Sequence, residues 1–344
     1  MDIKSMYLDE LTEEIKNLNQ PAFRAKQIYE WMHVKLASTY DDMTNLSKKL
    51  RSTLNDSRPL TVLEVVDELV SEKDGTIKYL FRLDDDRVIE SVLMKYHHGN
   101  SVCISSQVGC MMGCAFCAST IGGKERDLTA SEMLDQVYRI QALTGERVSN
   151  VVVMGTGEPL DNYNNLIRFI RILSDDKGIN ISARNITVST CGIPDRIRDL
   201  ADEGLPITLA LSLHAPNDEV RKKLMPVAKK YELSDVLDAF CYYYDRTGRR
   251  LTFEYSMAEG INDEEQHARE LAKLLRGYNC HVNLIPINPI KERNFVKSNN
   301  KKIQSFKNIL EKNRINVTIR REMGSDINAA CGQLRKSYLE RGDN

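Results

Sequence analysis

The sequence predicts an α/β protein, built as a partial parallel (β/α)6-type barrel preceded by a small helical domain. Three observations predict it. Residues 4 to about 58 carry apolar side chains at helical spacing, as in LTEEIKNL and AFRAKQIYEWMHV. The next stretch changes to strand-like runs separated by the turn signals SEKDG and LDDD. From about residue 100, apolar strand-like runs alternate with helical segments of ten or more residues, which is typical of parallel βα units.

These patterns also predict the domain organisation. We expect a helical accessory domain at 1–58, a β-rich connecting segment at 59–95, the barrel at 96–334 and a tail at 335–344. Within the barrel, helices are predicted at 130–144, 163–174, 194–203, 233–246, 263–276 and 301–313, between the strands VCISSQ, VSNVVVMG, RNITVST, PITLALSLH, RRLTFEYSM, HVNLIPI and INVTIR. The chemistry of such a barrel belongs at the carboxyl ends of its strands.

Composition excludes several classes of protein. The chain has 344 residues, of which 42% are hydrophobic and 28% charged. Its net charge of −1 means that the protein as a whole does not carry the positive charge typical of nucleic-acid-binding proteins. The N-terminus lacks the pattern of a signal peptide, and no apolar run approaches the roughly 20 residues that cross a bilayer. We therefore expect a cytoplasmic protein, monomeric and without a membrane partner. Eight cysteines are too sparse for a disulfide scaffold and indicate metal binding or catalysis.

Three of these cysteines form a compact cluster. Cys110, Cys114 and Cys117 lie on one loop, where Gly109 and Gly113 permit a tight backbone path. A [4Fe–4S] cluster is normally held by four thiolates, so three thiolates leave one iron open to an external ligand. The spacing alone also allows a structural zinc site with a distant fourth ligand.

Further candidates follow the predicted strands. Gly155-Thr-Gly-Glu-Pro159 can bring backbone close to a ligand, and the carboxylate of Glu158 can accept hydrogen bonds from an ammonium group. Ser189, the segment 212–214 and Asn288 each follow an apolar strand. Taken alone, each of these residues is either a ligand contact or a satisfied hydrogen-bonding residue of the fold.

The cysteine loop, with Phe116 before the last cysteine, resembles the defining motif of the radical S-adenosylmethionine (SAM) superfamily. Longer strings resemble its RlmN branch, the dual-specificity 23S rRNA and tRNA adenine methyltransferases. The strings span residues 90 to 334 and read ESVLMKY, VCISSQVGCMMGCAFCAST, GTGEPLDNY, SLHAPNDEVRKKLMPV, HVNLIPINPI and TIRREMGSDINAACGQL. The helical N-terminus resembles the accessory RNA-binding domain of the same family.

The resemblance implies a cofactor site. A [4Fe–4S] cluster would be bound by the three cysteines of the loop. SAM would be held at its amino group by Gly157 and Glu158. Its ribose and carboxylate would be contacted by Ser189, Ser212, Leu213, His214 and Asn288.

The resemblance also implies a catalytic set. Cys331 would accept a methyl group from one SAM, and a 5′-deoxyadenosyl radical from a second SAM would activate that methyl for addition to carbon 2 of adenine. Cys103 would resolve the protein–RNA adduct by forming a disulfide with Cys331, and Glu90 would accept a proton. Without the resemblance, Cys103 would be interpreted as a buried apolar residue and Glu90 as a solvated strand residue. Cys331, on a segment with Gly324 and Gly332, would be either a buried apolar residue or an exposed, reactive cysteine. The implied partners are 23S rRNA at the peptidyl transferase centre, tRNA at position 37, and a donor such as flavodoxin or ferredoxin.

Two alternatives remain at this point. A Cfr-type enzyme, methylating carbon 8, shares the cysteines and mechanism, but the strings CASTIGG and GTGEPL favour carbon 2. Thr156 departs from the common GMGEPL string of the family without affecting a central residue. A non-catalytic, zinc-containing RNA-binding module is the alternative from a different class. Cys191, Cys241 and Cys280 are predicted to be core residues, and the pairs Arg249–Arg250, Lys291–Arg293 and Arg320–Arg321 are either phosphate contacts or solvated charges.

Overall fold

The N-terminal part of the molecule is helical. The computed structural model describes residues 2–290, 292–330 and 332–333; Cys331, Lys291 and the predicted tail at 335–344 lie outside the described residues. Three helices pack around a core of their own, which includes Leu11, Ile28 and Leu54. They are α1 (Leu8–Asn17), α2 (Phe23–His33) and α3 (Lys48–Ser57).

Four antiparallel strands follow and begin the main sheet. Each strand hydrogen-bonds to the next along the chain. The predicted β-rich segment therefore belongs to the same sheet as the barrel that follows it. The four strands are β1 (Glu64–Val70), β2 (Ile77–Arg82), β3 (Val88–Tyr96) and β4 (Gly99–Ile104).

The sheet continues as seven parallel strands in the described part of the chain, because β4 is itself the first of the parallel set. Its full order is β1-β2-β3-β4-β7-β8-β9-β10-β11-β12, with a separate hairpin of β5 (Gln107–Gly109) and β6 (Lys124–Asp127). The six further parallel strands are β7 (Val148–Val153), β8 (Ile186–Thr190), β9 (Thr208–Ser212), β10 (Leu251–Met257), β11 (Cys280–Pro286) and β12 (Asn316–Ile319).

Helices cross between the parallel strands, as the alternating pattern predicts. The predicted helix at 130–144 is observed at the same residues, whereas the one predicted at 263–276 is shorter. The helices are α4 (Ala130–Thr144), α5 (Tyr163–Leu173), α6 (Pro194–Asp202), α7 (Asp218–Leu224), α8 (Leu233–Thr247), α9 (Glu265–Leu274) and α10 (Asn300–Lys312).

Local capping explains why α4 has such definite ends. The side chain of Thr129 accepts a hydrogen bond from Glu132 N, and the Glu132 carboxylate accepts one from Thr129 N. This reciprocal pair satisfies amide groups that would otherwise lack partners. At the other end, Gly145 adopts the left-handed conformation that terminates a helix without steric cost.

A buried ion pair joins the N-terminal helical region to the barrel. The ammonium group of Lys4 lies 2.6 Å from Oδ1 of Asp135 on α4, and both side chains are at most 3% exposed. Lys4 also donates to the carbonyl of Thr61, while Leu63 N donates to the second oxygen of Asp135 at 2.6 Å. The Tyr29 hydroxyl adds a hydrogen bond of 2.7 Å to Asp175. The helical region is therefore anchored to the barrel by buried polar contacts.

Among the described residues, none of the helices combines the length and apolarity that a membrane-crossing segment requires.

The Lys4–Asp135 contact gives a test of this anchoring. We expect Lys4→Met to lower the free energy of unfolding by about 3–5 kcal/mol, because it leaves the Asp135 carboxylate buried without its cation. Lys16→Met is the matched control: it breaks an exposed pair with Glu13 and costs less than about 1 kcal/mol. Urea denaturation measures both values, and equal values for the two variants would contradict the prediction.

Candidate active site

One cavity lies at the carboxyl ends of the parallel strands. It encloses about 960 Å³ of space, part of it open to solvent. The sequence-predicted residues that line it are Cys110, Cys114, Cys117, Gly157, Glu158, Ser189, Ser212, His214 and Asn288.

The cysteine loop is held at its base by the β5–β6 hairpin. Cys110 N donates to the carbonyl of Gly123 at 3.1 Å, and Cys117 N donates to the carbonyl of Cys114 at 3.2 Å. Gly109 and Gly113 both have positive φ, 75° and 69°, as the tight path predicts. The three thiols consequently face the same cavity.

Burial has the largest effect on the pKa values of these thiols. It raises the pKa of Cys110 to about 12 and the pKa of Cys114 well above its usual value, and the neighbouring cysteines raise both further. Buried thiols therefore become thiolates only beside a compensating cation. Within the described residues, no three His, Cys, Asp or Glu side chains are grouped as ligands of a single metal ion. The donor set on this wall, three thiols, fits an iron–sulfur cluster.

Glu158 is tied into the backbone around the cavity. Its Oε2 accepts a hydrogen bond of 2.7 Å from Cys191 N, and its Oε1 accepts one of 3.1 Å from Leu160 N. Its own N–H donates to the side chain of Gln107 at 2.9 Å. Burial raises the pKa of Glu158, and these hydrogen bonds oppose the rise. The side chains of Thr190 and Cys191 also donate hydrogen bonds to this carboxylate, so Glu158 is held from several directions.

His214 presents a neutral ring to the cavity. Burial, with a contribution from the charge of Arg221, lowers the pKa of His214 to about 3. Its Nδ1 accepts a hydrogen bond of 2.9 Å from Ser256 N, so the ring proton is assigned to Nε2. The ring also meets Phe116 of the cysteine loop edge to face, with centroids 5.0 Å apart. His214 thus supplies one fixed hydrogen-bond donor.

The two serines and Leu213 take different positions. Ser189 Oγ lies 3.2 Å from Ser212 Oγ, so two adjacent strand ends present a pair of hydroxyl groups. Leu213 is fully buried, and its backbone N–H donates to the carbonyl of Glu254 at 3.0 Å. Leu213 therefore contributes to the shape of the strand end through its backbone.

Sequence reasoning missed Glu254 and Arg320 as cavity residues. Glu254 lies on β10 with 4% of its surface exposed, and Asn283 donates to its Oε1 at 2.9 Å. Its Oε2 has no hydrogen bond in the described part of the chain and lies 3.8 Å from Arg320 Nη1. The available signal was the string FEYSM, in which Glu254 and Ser256 alternate with residues of the apolar core.

Glu90 lines a second cavity, which encloses about 840 Å³ and is partly open to solvent. Interpreting Glu90 as a solvated strand residue is wrong, since it is only 3% exposed. Both neighbouring strands cover β3, and Lys78 Nζ lies 3.3 Å from Glu90 Oε1. Ser119 lines both cavities, and its hydroxyl lies 3.4 Å from that of Thr156. The two cavities are therefore neighbours.

Cys103 lies in an apolar cluster with the C-terminal segment. Its cluster includes Met94, Met323 and Ala329, and Cys103 is 7% exposed. Gly332 directly follows Cys331 in the sequence. Its carbonyl accepts a hydrogen bond of 2.8 Å from Ala118 N, and it lines the first cavity. The chain neighbours of Cys331 are thus next to the cysteine loop and to Cys103.

The loop before Cys331 is clamped by the turn between β1 and β2. Asp326 accepts hydrogen bonds from Ser71 Oγ at 2.7 Å and from Glu72 N at 3.1 Å. Gly324 N donates to Asp74 at 3.0 Å, and Lys78 Nζ donates to the carbonyl of Asn328 at 3.4 Å. Lys78 therefore contacts both Glu90 and this loop.

The remaining cysteines and arginines have varied environments. Cys191 and Cys280 are buried, as predicted for core residues, whereas Cys241 is half-buried. Arg249 donates to the carbonyl of Ile207 and to the hydroxyl of Thr208, which ties its side chain to the β9 strand. Arg250 is exposed.

Comparisons with known proteins cover nearly the whole chain. Residues 104–272 match the model of the radical SAM superfamily, and residues 1–58 match that of the ribosomal RNA large subunit methyltransferase N-terminal domain. Two relatives are named probable dual-specificity RNA methyltransferase RlmN. The one from Lachnoclostridium phytofermentans is 64% identical, and the match covers 99% of this chain and 96% of the relative. The one from Lachnospira eligens is 60% identical, and the match covers 98% of this chain and 97% of the relative. The crystal structure of a radical SAM methyltransferase from Sphaerobacter thermophilus is similar with a TM-score of 0.94 and 45% identity, covering 98% of this chain and 99% of that one.

The base of the cysteine loop gives a second test. A Cβ added at Gly109 would lie 2.0 Å from the carbonyl oxygen of Gly123, whereas one added at Gly122 meets no atom within 4 Å. Both positions have positive φ and so share a strain of about 1–2 kcal/mol on substitution. We expect Gly109→Ala to lose most of its iron after anaerobic reconstitution, while Gly122→Ala keeps the wild-type content of about four atoms. Iron analysis measures this, and a fully loaded Gly109→Ala protein would count against a cluster at this loop.

Proposed function

Because the chain belongs to the RlmN family of dual-specificity radical SAM RNA methyltransferases, we propose that it methylates carbon 2 of adenine in two RNAs. The targets are 23S rRNA at the peptidyl transferase centre and tRNA at position 37. The observation that carries the proposal is one cavity that joins the three cysteines, Glu158 and Gly332, the residue after Cys331.

Family membership implies a [4Fe–4S] cluster and SAM as cofactors. We assign the cluster to Cys110, Cys114 and Cys117, and the amino group of SAM to Gly157 and Glu158. When bound, the cluster supplies the electron that cleaves SAM to a 5′-deoxyadenosyl radical. The ribose and carboxylate of SAM are assigned to Ser189, Ser212, His214 and Asn288, with Leu213 contributing through its backbone. The neutral His214 ring then donates from Nε2, and the serine pair offers two hydroxyl groups.

The covalent steps belong to two further cysteines. The Cys331 thiolate takes a methyl group from a first SAM, which forms a carbon–sulfur bond and releases S-adenosylhomocysteine. The 5′-deoxyadenosyl radical from a second SAM would take a hydrogen atom from this methyl group, and the remaining carbon bonds to carbon 2 of adenine. The adduct then loses one electron, and Glu90 accepts the proton lost from carbon 2. The Cys103 thiolate attacks the sulfur of Cys331 and forms a disulfide, while the carbon–sulfur bond breaks and its electron pair, with a proton, goes to the carbon, which becomes the methyl group of the freed base. Support comes from the apolar cluster that Cys103 shares with Ala329 and from the burial of Glu90 in the adjacent cavity.

The remaining parts of the proposal concern partners. We assign RNA binding to the helical domain at 1–58, which matches a ribosomal RNA methyltransferase N-terminal domain. Electrons come from a donor such as flavodoxin or ferredoxin, and the enzyme acts as a cytoplasmic monomer. Membership of a radical SAM family leaves no support for the non-catalytic zinc module.

Mapping the methylated carbon tests the reaction. We expect anaerobically reconstituted enzyme, given SAM, reductant and a 23S rRNA fragment or tRNA, to yield 2-methyladenosine in nuclease digests analysed by mass spectrometry beside synthetic standards. RNA treated without reductant is the control and stays unmodified, because the radical requires an electron. A product that comigrates with 8-methyladenosine would instead identify a Cfr-type enzyme.

Trapping the adduct tests the resolving cysteine. We expect Cys103→Ala to accumulate RNA covalently attached through Cys331, because no thiol remains to release it. Cys280→Ala is the matched control, since Cys280 is also buried but lies outside the apolar cluster that Cys103 shares with the C-terminal segment. We expect this variant to turn over normally. Denaturing gels and peptide mass mapping detect the adduct. Normal turnover by Cys103→Ala without an adduct would remove the resolving role.

A further inference from the structure

A fully buried arginine lies behind the cysteine loop. Arg221, on α7, is 0% exposed. Its Nη2 donates to the carbonyl of Cys191 at 2.6 Å and its Nε to that of Leu213 at 3.3 Å. Its Nη1 is buried and has no hydrogen-bond partner in the described part of the chain. The guanidinium is thus surrounded by neutral carbonyl groups there.

Burying Arg221 costs free energy, because its guanidinium group keeps its positive charge. Burial lowers the pKa of Arg221, and Cys191, Asp218 and Cys114 oppose that change. Arginine nevertheless remains protonated in proteins. A buried cation without an anion costs several kcal/mol, so the folded protein gains if negative charge is placed nearby.

Several contacts put Arg221 next to the cysteine loop. Ala115 N, between Cys114 and Phe116, donates to the carbonyl of Leu224 at 2.8 Å. Leu224 follows Arg221 by three residues and therefore lies on the same face of α7. Cys114 and Leu224 also share one apolar cluster with Cys191, whose carbonyl Arg221 contacts. The charge consequently lies close to Cys114.

Arg221 nevertheless does not line the cavity. A ligand bound in the cavity is separated from the guanidinium by the residues of the wall. The loop thiolates, that of Cys114 in particular, are anions that the charge can stabilise from this position.

We propose that Arg221 is the buried counter-charge of the cluster bound by Cys110, Cys114 and Cys117, and that it raises the reduction potential of that cluster. The proposal rests on the cysteine assignment made under Proposed function. Each thiolate carries one negative charge, and reduction adds one electron without making or breaking a bond. A fixed positive charge in a low-dielectric region stabilises the more negative, reduced state. Arg221 thus influences the reaction through the electrostatics of the cluster and does not itself contact the reacting atoms.

Four variants separate charge from structure. Arg221→Met removes the charge and the donors, Arg221→Gln removes the charge but keeps an N–H donor, and Arg221→Lys keeps the charge. Lys222→Met removes an exposed charge one residue further on and is the matched control. The measurement is a potentiometric titration of the reconstituted, SAM-free protein with dithionite, followed by electron paramagnetic resonance, so that turnover is not required.

We expect both neutral variants to lower the equilibrium constant for one-electron reduction at least tenfold, which corresponds to about 59 mV. Arg221→Lys and Lys222→Met keep the wild-type potential. If Arg221→Met does not fold, Arg221→Gln provides the neutral comparison. Unchanged potentials in the neutral variants, or lost iron with an unchanged potential in the remaining cluster, would indicate a structural role and overturn the proposal. A wild-type protein that binds zinc but no iron would overturn the cysteine assignment, and this inference with it.

Discussion

The buried carboxylate of Glu158 is the contact on which the rest of the site depends. It accepts hydrogen bonds from the backbone of Cys191, after β8, and of Leu160, after β7, while its own N–H is bound by Gln107 of β5. Three chain segments therefore meet at one residue. Hydrogen bonds to a charged group contribute about 1.5–3 kcal/mol each, which offsets the cost of burying the charge. The cavity has a defined shape because these segments cannot move independently.

The polar groups around this contact are fixed before any ligand arrives. The ring of His214 is held by Ser256 N and by Phe116, and Glu254 is held by Asn283. Preorganised groups of this kind lose little entropy on binding and need not reorient during reaction. The fold instead bears the free-energy cost of burying charges that are not fully compensated, at Glu158, Glu254 and Arg221. The proposed function would give these charges counterparts, a cationic sulfonium ligand and an anionic cluster.

The sequence predicted those features that are determined locally. The helix at 130–144 was predicted to the residue because Thr129, Glu132 and Gly145 cap it. The cysteine loop was predicted because its three cysteines lie within eight residues. The burial of Glu90 could not be read from its own strand, since it depends on the residues that lie against that face of the sheet, among them Lys78. Arg221 was missed for a related reason: in the string NDEVRKKL it resembles a surface charge, but its side chain is buried against the carbonyls of Cys191 and Leu213, which lie outside that string.

The clamp on the C-terminal loop has a consequence for the order of assembly. Ser71, Asp74 and Lys78 contact residues 324–328, about 250 positions later in the chain. Because a ribosome releases the N-terminal part of a protein first, the receiving turn is synthesised well before the loop that it holds. The segment around Cys331 is therefore among the last parts of the chain to emerge. During translation, Cys331 becomes available well after the cysteine loop and the strands that carry Glu158, Ser189 and His214.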